Sequence, residues 1–477
     1  MPSSYLAPTR RRFLGGLGLT AVSLALPIRP GFAATEPRLL TAGPGDALLL
    51  EAGQPATRAW LYDGVSPGPV IRARQGEEVF VRLVNKLDQP TTLHWHGIRI
   101  DNAMDGVAHL TQEAVAPGGT FDYRFTVPDA GTFWYHPHNR SWEQVARGLY
   151  GLLIVDEAGR RMGANQDIAI VADDWRLGDD GQIDESSFGA MMDWSHAGRL
   201  GNHLTLNGQD NLDIPVLHRE RIRLRLCNTC NARILELRIE DHPNIWLMAQ
   251  DGQPVAPRRL DDGYIALAPG ERADLVVDMD LEPGGTAAIT EVSGGQRLVA
   301  GRLVSNGEIF HDAPQPIPPF PLPANPMSTG LDLNSALAVD LLMEGGAMGS
   351  MAQARHNGEM KDIRSLVGAG LAWSFNGIAG MTEDPLFTAT RGRTVTVDMR
   401  NDTRWPHAMH LHGHHVKVLE RDGKATGSDA WKDTVLLEPR ENARVAFVAD
   451  NPGKWMIHCH MLEHQAAGMT TWFKVEV

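Results

Sequence analysis

Cysteine is scarce in this chain. Three residues among 477 are too few for a disulfide framework, and a protein of this size builds its core without one. Basic charge is also short: 44 Lys and Arg against 58 Asp and Glu leave a formal charge of −14, so neither nucleic acid nor an anionic membrane surface is the expected partner. Long apolar runs are missing except at the N-terminus, and no membrane span is expected. The exception is Thr9-Arg10-Arg11-Arg12-Phe13-Leu14, an apolar run to Leu26 and small residues at Gly31 and Ala33, which reads as a twin-arginine signal peptide over residues 1–33. That segment holds four arginines and no acid, so its removal takes the charge from −14 to −18. A soluble periplasmic protein follows.

What is abundant is turn residues and short alternating runs. Forty-nine glycines and thirty prolines punctuate segments such as Val79-Phe80-Val81-Arg82-Leu83-Val84 and Thr394-Val395-Thr396-Val397-Asp398-Met399. The pattern predicts an all-β chain of β-sandwiches. Two segments recur. Pro69–Val79 resembles Pro385–Val395, with a fainter copy around Asp213–Leu226. Ala116–Tyr123, Ala268–Leu275 and Glu438–Val445 share a second pattern. Three copies about 150 residues apart predict three similar domains, at 34–160, 161–310 and 331–477, with a Pro-rich linker over 311–330. Cys227 and Cys230 end a run in which Ile222, Leu224 and Leu226 alternate with arginines. This predicts a half-buried strand, with the two thiols as packing residues in preference to a disulfide or a metal pair.

Histidine carries the chemistry. Of nineteen, ten fall in four clusters: His94-Trp95-His96, His136-Pro137-His138, His407-Ala408-Met409-His410-Leu411-His412, and His458-Cys459-His460 with His464. On a strand, alternation puts His458 and His460 on one face and Cys459 on the other. One strand then touches two metal centres. Cys459, His464 and Met469 form part of a blue-copper ligand set, one histidine short. The paired histidines elsewhere supply neutral nitrogens without a carboxylate, which suits a multinuclear copper centre better than magnesium, calcium or a single zinc. A lone histidine is by default a surface or core residue. His109, His196, His203, His218, His242, His311, His356, His414 and His415 are read in that way.

These clusters, their order and the Cys-x4-His-x4-Met spacing resemble the multicopper oxidases, the family of laccases, ascorbate oxidase and cuprous oxidases. The resemblance spans almost the whole chain beyond the signal segment. It implies three cupredoxin-like Greek-key β-sandwiches and four coppers. His407, Cys459, His464 and axial Met469 would hold the blue (type 1) copper, and His94 and His410 the type 2. His96, His136 and His460 would hold one type 3 copper, and His138, His412 and His458 the other. The implied reaction takes electrons from a donor near His464, through Cys459, to reduce O2 to water in a monomeric enzyme. Asp105 falls where similar enzymes keep an acid for proton relay, but an Asp before Gly106 is equally a turn residue. Gln465 stands where cuprous oxidases tend to have a carboxylate, with Glu463 nearby.

Three readings of the donor and activity follow. Met343, Met348, Met351 and Met360 lie in a Gly- and polar-rich stretch, 343–360, that does not read as core. Thioethers select Cu(I), so an oxidase of Cu(I) serving copper tolerance is the first reading. The second is a laccase-like oxidase of phenols or other organic donors, with Trp405 shaping a shallow pocket. The third, a copper-free cupredoxin scaffold of the cell-division type, predicts lost ligands, and all ten histidines and Cys459 are present.

Overall fold

The computed structural model describes residues 36–477 apart from 52, 160–165, 241–243, 311–317 and 329. The signal segment, His242, His311 and the first part of the Pro-rich linker lie outside the described residues. Strands dominate, and the helices are short turns such as Met191–Ser195 and Leu462–Ala466. The sheets pair into three sandwiches. A sheet containing Arg38–Ala47, Glu78–Asn85 and Thr120–Thr126 and another containing Gly131–His136 and His94–His96 enclose the first core. The second and third cores lie between the six- and five-stranded and the seven- and five-stranded sheets.

The recurring segments occupy equivalent places. In each sandwich a central strand pairs antiparallel with the strand of the second repeat and parallel with an earlier one. Glu78–Asn85 does so with Thr120–Thr126 and Arg38–Ala47. Arg221–Asn228 does so with Arg272–Asp278 and Asp167–Trp175, and Arg393–Asn401 with Asn442–Ala449 and Leu337–Gly345. Period-two burial explains the first of these: Val79, Val81 and Leu83 face the core while Phe80, Arg82 and Val84 stay partly exposed, as a pleated strand with one wet face requires.

Two expectations fail on tertiary grounds. Arg221–Asn228 is not half-buried; all eight residues are buried. Its arginine face packs on the first sandwich, where Arg223 reaches Glu157 and Arg225 donates to the Thr132 hydroxyl at 3.0 Å, while Asp274 and Asp167 on the neighbouring strands pair with Arg223 and Arg225. Charge pairing lets this second face leave water. Cys227 and Cys230 are free and buried on opposite sides of the strand end, in two different apolar clusters. The other failure is Met343, which is fully buried in the third core and pairs with Phe375. Gly-rich surroundings hid a strand, Leu337–Gly345, whose alternate residues Leu341 and Met343 point inward.

The described part of the linker is extended but pinned. Asn325 accepts from Ala130 N at 2.8 Å and donates to Ala130 O at 2.8 Å and Gln253 Oε1 at 2.9 Å, tying the chain to the first and second sandwiches. Asn102 makes a similar two-way bond to the backbone of Lys454, joining first to third.

Candidate copper centres

Pairing of short strands assembles the clusters. His94–His96 runs antiparallel to Gly131–His136 with His94 opposite His136. His407–Leu411 runs antiparallel to Gly453–Cys459 with His410 opposite His458 and Met409 opposite Cys459. The ten clustered histidines and Cys459 are buried. Ligand atoms gather within 4.8 Å of one another in the sets His96, His136, His460; His138, His412, His458; His94, His96, His410; and His407, Cys459, His464.

Hydrogen bonds fix which nitrogen is free in six of the eight cluster rings. A carbonyl can only accept, so an imidazole nitrogen facing one carries the proton. His94 Nδ1 lies 2.7 Å from Asp105 O, His136 Nδ1 3.0 Å from Pro137 O, His410 Nδ1 2.9 Å from Asp433 O and His458 Nδ1 2.9 Å from Cys459 O. His412 Nδ1 faces the Asp105 carboxylate at 3.0 Å. In each ring Nε2 is left with a lone pair. His96 is reversed: its Nε2 donates to Asp433 Oδ1 at 3.0 Å, leaving Nδ1 free.

The free nitrogens converge on one another. His412 Nε2 and His458 Nε2 are 3.1 Å apart, and His138 Nε2 is 3.3 Å from His458 Nε2. His94 Nε2, His96 Nδ1, His136 Nε2, His410 Nε2 and both nitrogens of His460 are buried without a partner. Unpaired buried polar atoms are rare and costly. Burial pushes the His96, His136, His138, His412, His458 and His460 imidazoles well below their ordinary value, and each of them also lowers through neighbouring histidines. Protonation is thereby disfavoured as a way to relieve the convergence. A cation can relieve it.

On the other face of Cys459 the same logic holds. His407 Nε2 donates to Thr403 Oγ1 at 2.9 Å, and the Thr403 hydroxyl donates on to Asn401 Oδ1 at 2.7 Å. His464 Nε2 donates to the backbone carbonyl of His196 at 2.7 Å. Both Nδ1 atoms then point inward, 3.1 Å from each other and 3.6 and 3.7 Å from Cys459 Sγ. Met469 is fully buried in the same cluster as Cys459, and its carbonyl accepts from Cys459 N at 3.1 Å. Trp373 packs on both histidine rings, at 5.0 and 4.4 Å. Burial holds the Cys459 thiol up at about 12, so forming the thiolate that a metal takes releases a proton. Two imidazoles, a thiolate and a thioether are a donor set that fits copper.

Asp105 is buried and touches both His94 and His412, which is more than a turn residue does. Glu463 is buried, takes Asn231 Nδ2 at 2.7 Å and is pushed up to about 7, mainly by burial; Gln465 accepts from the Ser141 hydroxyl at 2.9 Å. The methionines do not form one group. Met343 is core, Met351 is nearly buried in a small apolar cluster with Leu366 and Leu371, and Met348 and Met360 are 73% and 53% exposed. Sequence reasoning missed Asp433, Arg272, Thr403 and His196. Only Arg272 and Gly270 left a trace, as part of the repeated segment Ala268–Leu275.

Family models described as multicopper oxidase match residues 48–160, 167–305 and 352–477. The chain is 30% identical to multicopper oxidase MmcO of Mycobacterium tuberculosis, over 96% of this chain and 90% of that one. It is 25% identical to a copper resistance protein A homolog of Pseudomonas syringae pv. tomato, over 98% and 99%. A crystal structure of a multi-copper oxidase from Pseudomonas thermotolerans superposes with a TM-score of 0.79 at 35% identity, covering 93% of this chain and all of that one. Buried lone pairs turned toward one another, a donor set that fits copper, and likeness along nearly the whole length agree: the chain belongs to the multicopper oxidase family, oxidoreductases that use O2 as acceptor.

Proposed function

We propose that this oxidase holds four coppers and that its donor is Cu(I), so that it serves copper tolerance. His407, Cys459, His464 and Met469 would bind one copper, His94 and His410 a second, and the trios His96, His136, His460 and His138, His412, His458 the pair. The observation that supports the count is the convergence of buried imidazole nitrogens in several sets of three, two of which share His96. Copper bound there supplies one-electron redox steps and a site at which O2 is reduced to water. The chain supplies the rest. Cys459 shares a strand with His458 and His460, so ligands of the donor-side site and of the cluster are adjacent residues. Asp105, accepting from His412 and His94, is the acid beside the cluster for proton delivery.

Support for Cu(I) comes from the outer edge of the blue site. His464 is fully buried, and its Nε2 is covered by the His196 carbonyl. A donor therefore meets the segment around His196 first. Ser195 O takes Ala347 N at 2.6 Å, Ala347 O takes the Trp405 indole at 3.1 Å, and the Trp405 ring lies 5.2 Å from the His196 ring. Met348, the next residue after Ala347, is held at φ +61° with its thioether exposed, and Met192 is 68% exposed on the neighbouring helix. Imidazole and thioether are soft donors suited to Cu(I). The second reading, organic donors, is favoured by a cavity of about 800 Å³ lined by Phe375, Ile378, Met381 and Thr470, the last directly following Met469. On either reading the twin-arginine segment exports the protein to the periplasm, and no described helix is long and apolar enough to cross a membrane.

Copper-loaded protein is expected to be blue, with the Cys459→Ser variant colourless; a copper-free wild type would refute the proposal. Anaerobic bleaching of the blue band by Cu(I) and by a phenol then separates the donors. Met348→Ser and His196→Ala should each slow bleaching by Cu(I) about tenfold, a loss of roughly 1.4 kcal/mol. Unchanged Cu(I) rates in both variants would eliminate that donor site.

A further inference from the structure

Among its described residues the second sandwich contributes no copper ligand, yet one of them reaches toward the cluster. Arg272, at the start of the strand Arg272–Asp278, is fully buried. Its guanidinium grips Asp433 with two bonds, Nη1 to Oδ1 at 2.9 Å and Nη2 to Oδ2 at 2.6 Å. Two further bonds aim the fork: Nε donates to Thr132 O at 3.1 Å in the first sandwich, and Nη1 to Gly270 O at 3.0 Å. Asp433 in turn touches two cluster histidines. Its Oδ1 takes His96 Nε2 at 3.0 Å and the Thr434 hydroxyl at 2.8 Å, and its backbone carbonyl takes His410 Nδ1 at 2.9 Å.

His96 is the ring this arrangement governs. The five cluster rings bonded through Nδ1 find their acceptor in a carbonyl or in Asp105, and their Nε2 is free. His96 alone has Nε2 bound to an Asp433 carboxylate oxygen and Nδ1 free. Without that acceptor only the Thr434 hydroxyl, 3.4 Å from Nε2, is left to hold the proton there, and the ring loses most of its preference for presenting Nδ1. The glycines around the pair show how tightly it is enclosed. A Cβ on Gly97, the residue after His96, would overlap Arg272 Nη2 and Asp433 Oδ2. One on Gly270 would lie 3.0 Å from His96 Cε1 and 3.1 Å from the His460 ring.

We propose that Arg272 and Asp433 form an interdomain clamp that sets the tautomer and orientation of His96, and through it the occupancy of the copper position shared with His136 and His460. Both are positioning residues. The second sandwich thereby controls assembly of a centre to which it gives no ligand. The inference rests on the four-copper reading of the site and extends it.

Copper per chain, the blue absorption and the electron paramagnetic resonance spectrum are compared for full-length copper-loaded wild type, Asp433→Leu, which keeps the branched shape in a bulkier side chain but removes the acceptor, and Asp433→Asn, which keeps the volume and an oxygen. In Asp433→Leu the blue band is expected to persist, because His407, Cys459 and His464 do not touch Asp433. One copper should be held about 10- to 100-fold more weakly in competition with a chelator, and its partner should become visible in the resonance spectrum as an uncoupled ion. Asp433→Asn should restore part of the loss. A merely structural role would lower the melting temperature of both variants and leave copper content and spectrum per folded molecule unchanged, and that result overturns the clamp. If Asp433→Leu does not fold, Arg272→Lys, which keeps the charge but loses the fork, is read in the same way against Asp433→Asn. A wild type holding fewer than four coppers would count against the functional reading, whereas four coppers in every variant would count against the clamp alone.

Discussion

Three glycines share a backbone angle and differ only in what surrounds them, which allows the enclosure of the Arg272–Asp433 pair to be measured. Gly97, Gly270 and Gly392 all have φ +86°. A Cβ on Gly392 meets nothing within 4 Å. Gly392→Ala should therefore cost only the left-handed backbone, about 1–2 kcal/mol, less about 0.4–1 kcal/mol for the reduced freedom of the unfolded chain. Gly97→Ala carries the same backbone term and adds overlap with two fully buried charged groups. If the core gives way, overpacking adds about 1–3 kcal/mol. If instead the pair parts, an uncompensated buried charge adds about 3–5 kcal/mol. Gly97→Ala should thus be destabilised by roughly 1–5 kcal/mol more than Gly392→Ala across these two cases. Gly270→Ala, whose Cβ needs only a few tenths of an ångström from two rings, should fall between them. The assay is chemical denaturation of the copper-free proteins, followed by tryptophan fluorescence. Equal midpoints for Gly97→Ala and Gly392→Ala would refute the enclosure.

Other outcomes follow from the same geometry. Met343→Ala should cost about 2–5 kcal/mol as a core cavity while leaving Cu(I) oxidation per folded molecule unchanged; a selective loss of Cu(I) oxidation would return Met343 to the donor site. Asp173, buried beside Asp174, is pushed up to about 8 from 3.8 in the unfolded chain, first by burial and then by its neighbour's charge. Between those values the native state keeps a proton that the unfolded state releases. Stability from this group is thus complete below pH 4 and is lost as pH rises to 8, with a slope of up to ~1.4 kcal/mol per unit. Asp173→Asn should remove that slope, so the variant gains on wild type with rising pH in denaturation midpoints; parallel curves would contradict it. Asp105→Asn should slow O2 turnover while the blue band and its anaerobic bleaching stay at wild-type values, and slowed bleaching would place the defect elsewhere.

How far the sequence could be read depended on the range of the physics involved. Period-two alternation is a property of adjacent residues, so the opposed faces of Cys459 and of His458 and His460 were legible from three letters. Chemical softness is a property of single side chains, so the choice of copper was legible as well. The three-fold repeat could be seen because equivalent central strands need equivalent turns and partners. Orientation of the rings could not be seen. The tautomer of His96 depends on Asp433, 337 residues away, and nothing in Lys432-Asp433-Thr434 announces it. Likewise His196 looked like a default surface histidine, because neither the contact of its carbonyl with His464 nor that of its ring with Trp405 is written in the residues around it. Met343 looked exposed because its neighbours are glycines, and Arg223 and Arg225 looked wet because their acidic partners lie on other strands. Sequence alone determined which atoms are available to bind copper. Tertiary structure decided which of them face inward with a free lone pair, because proton position and burial are set by groups that meet only when the three sandwiches pack together.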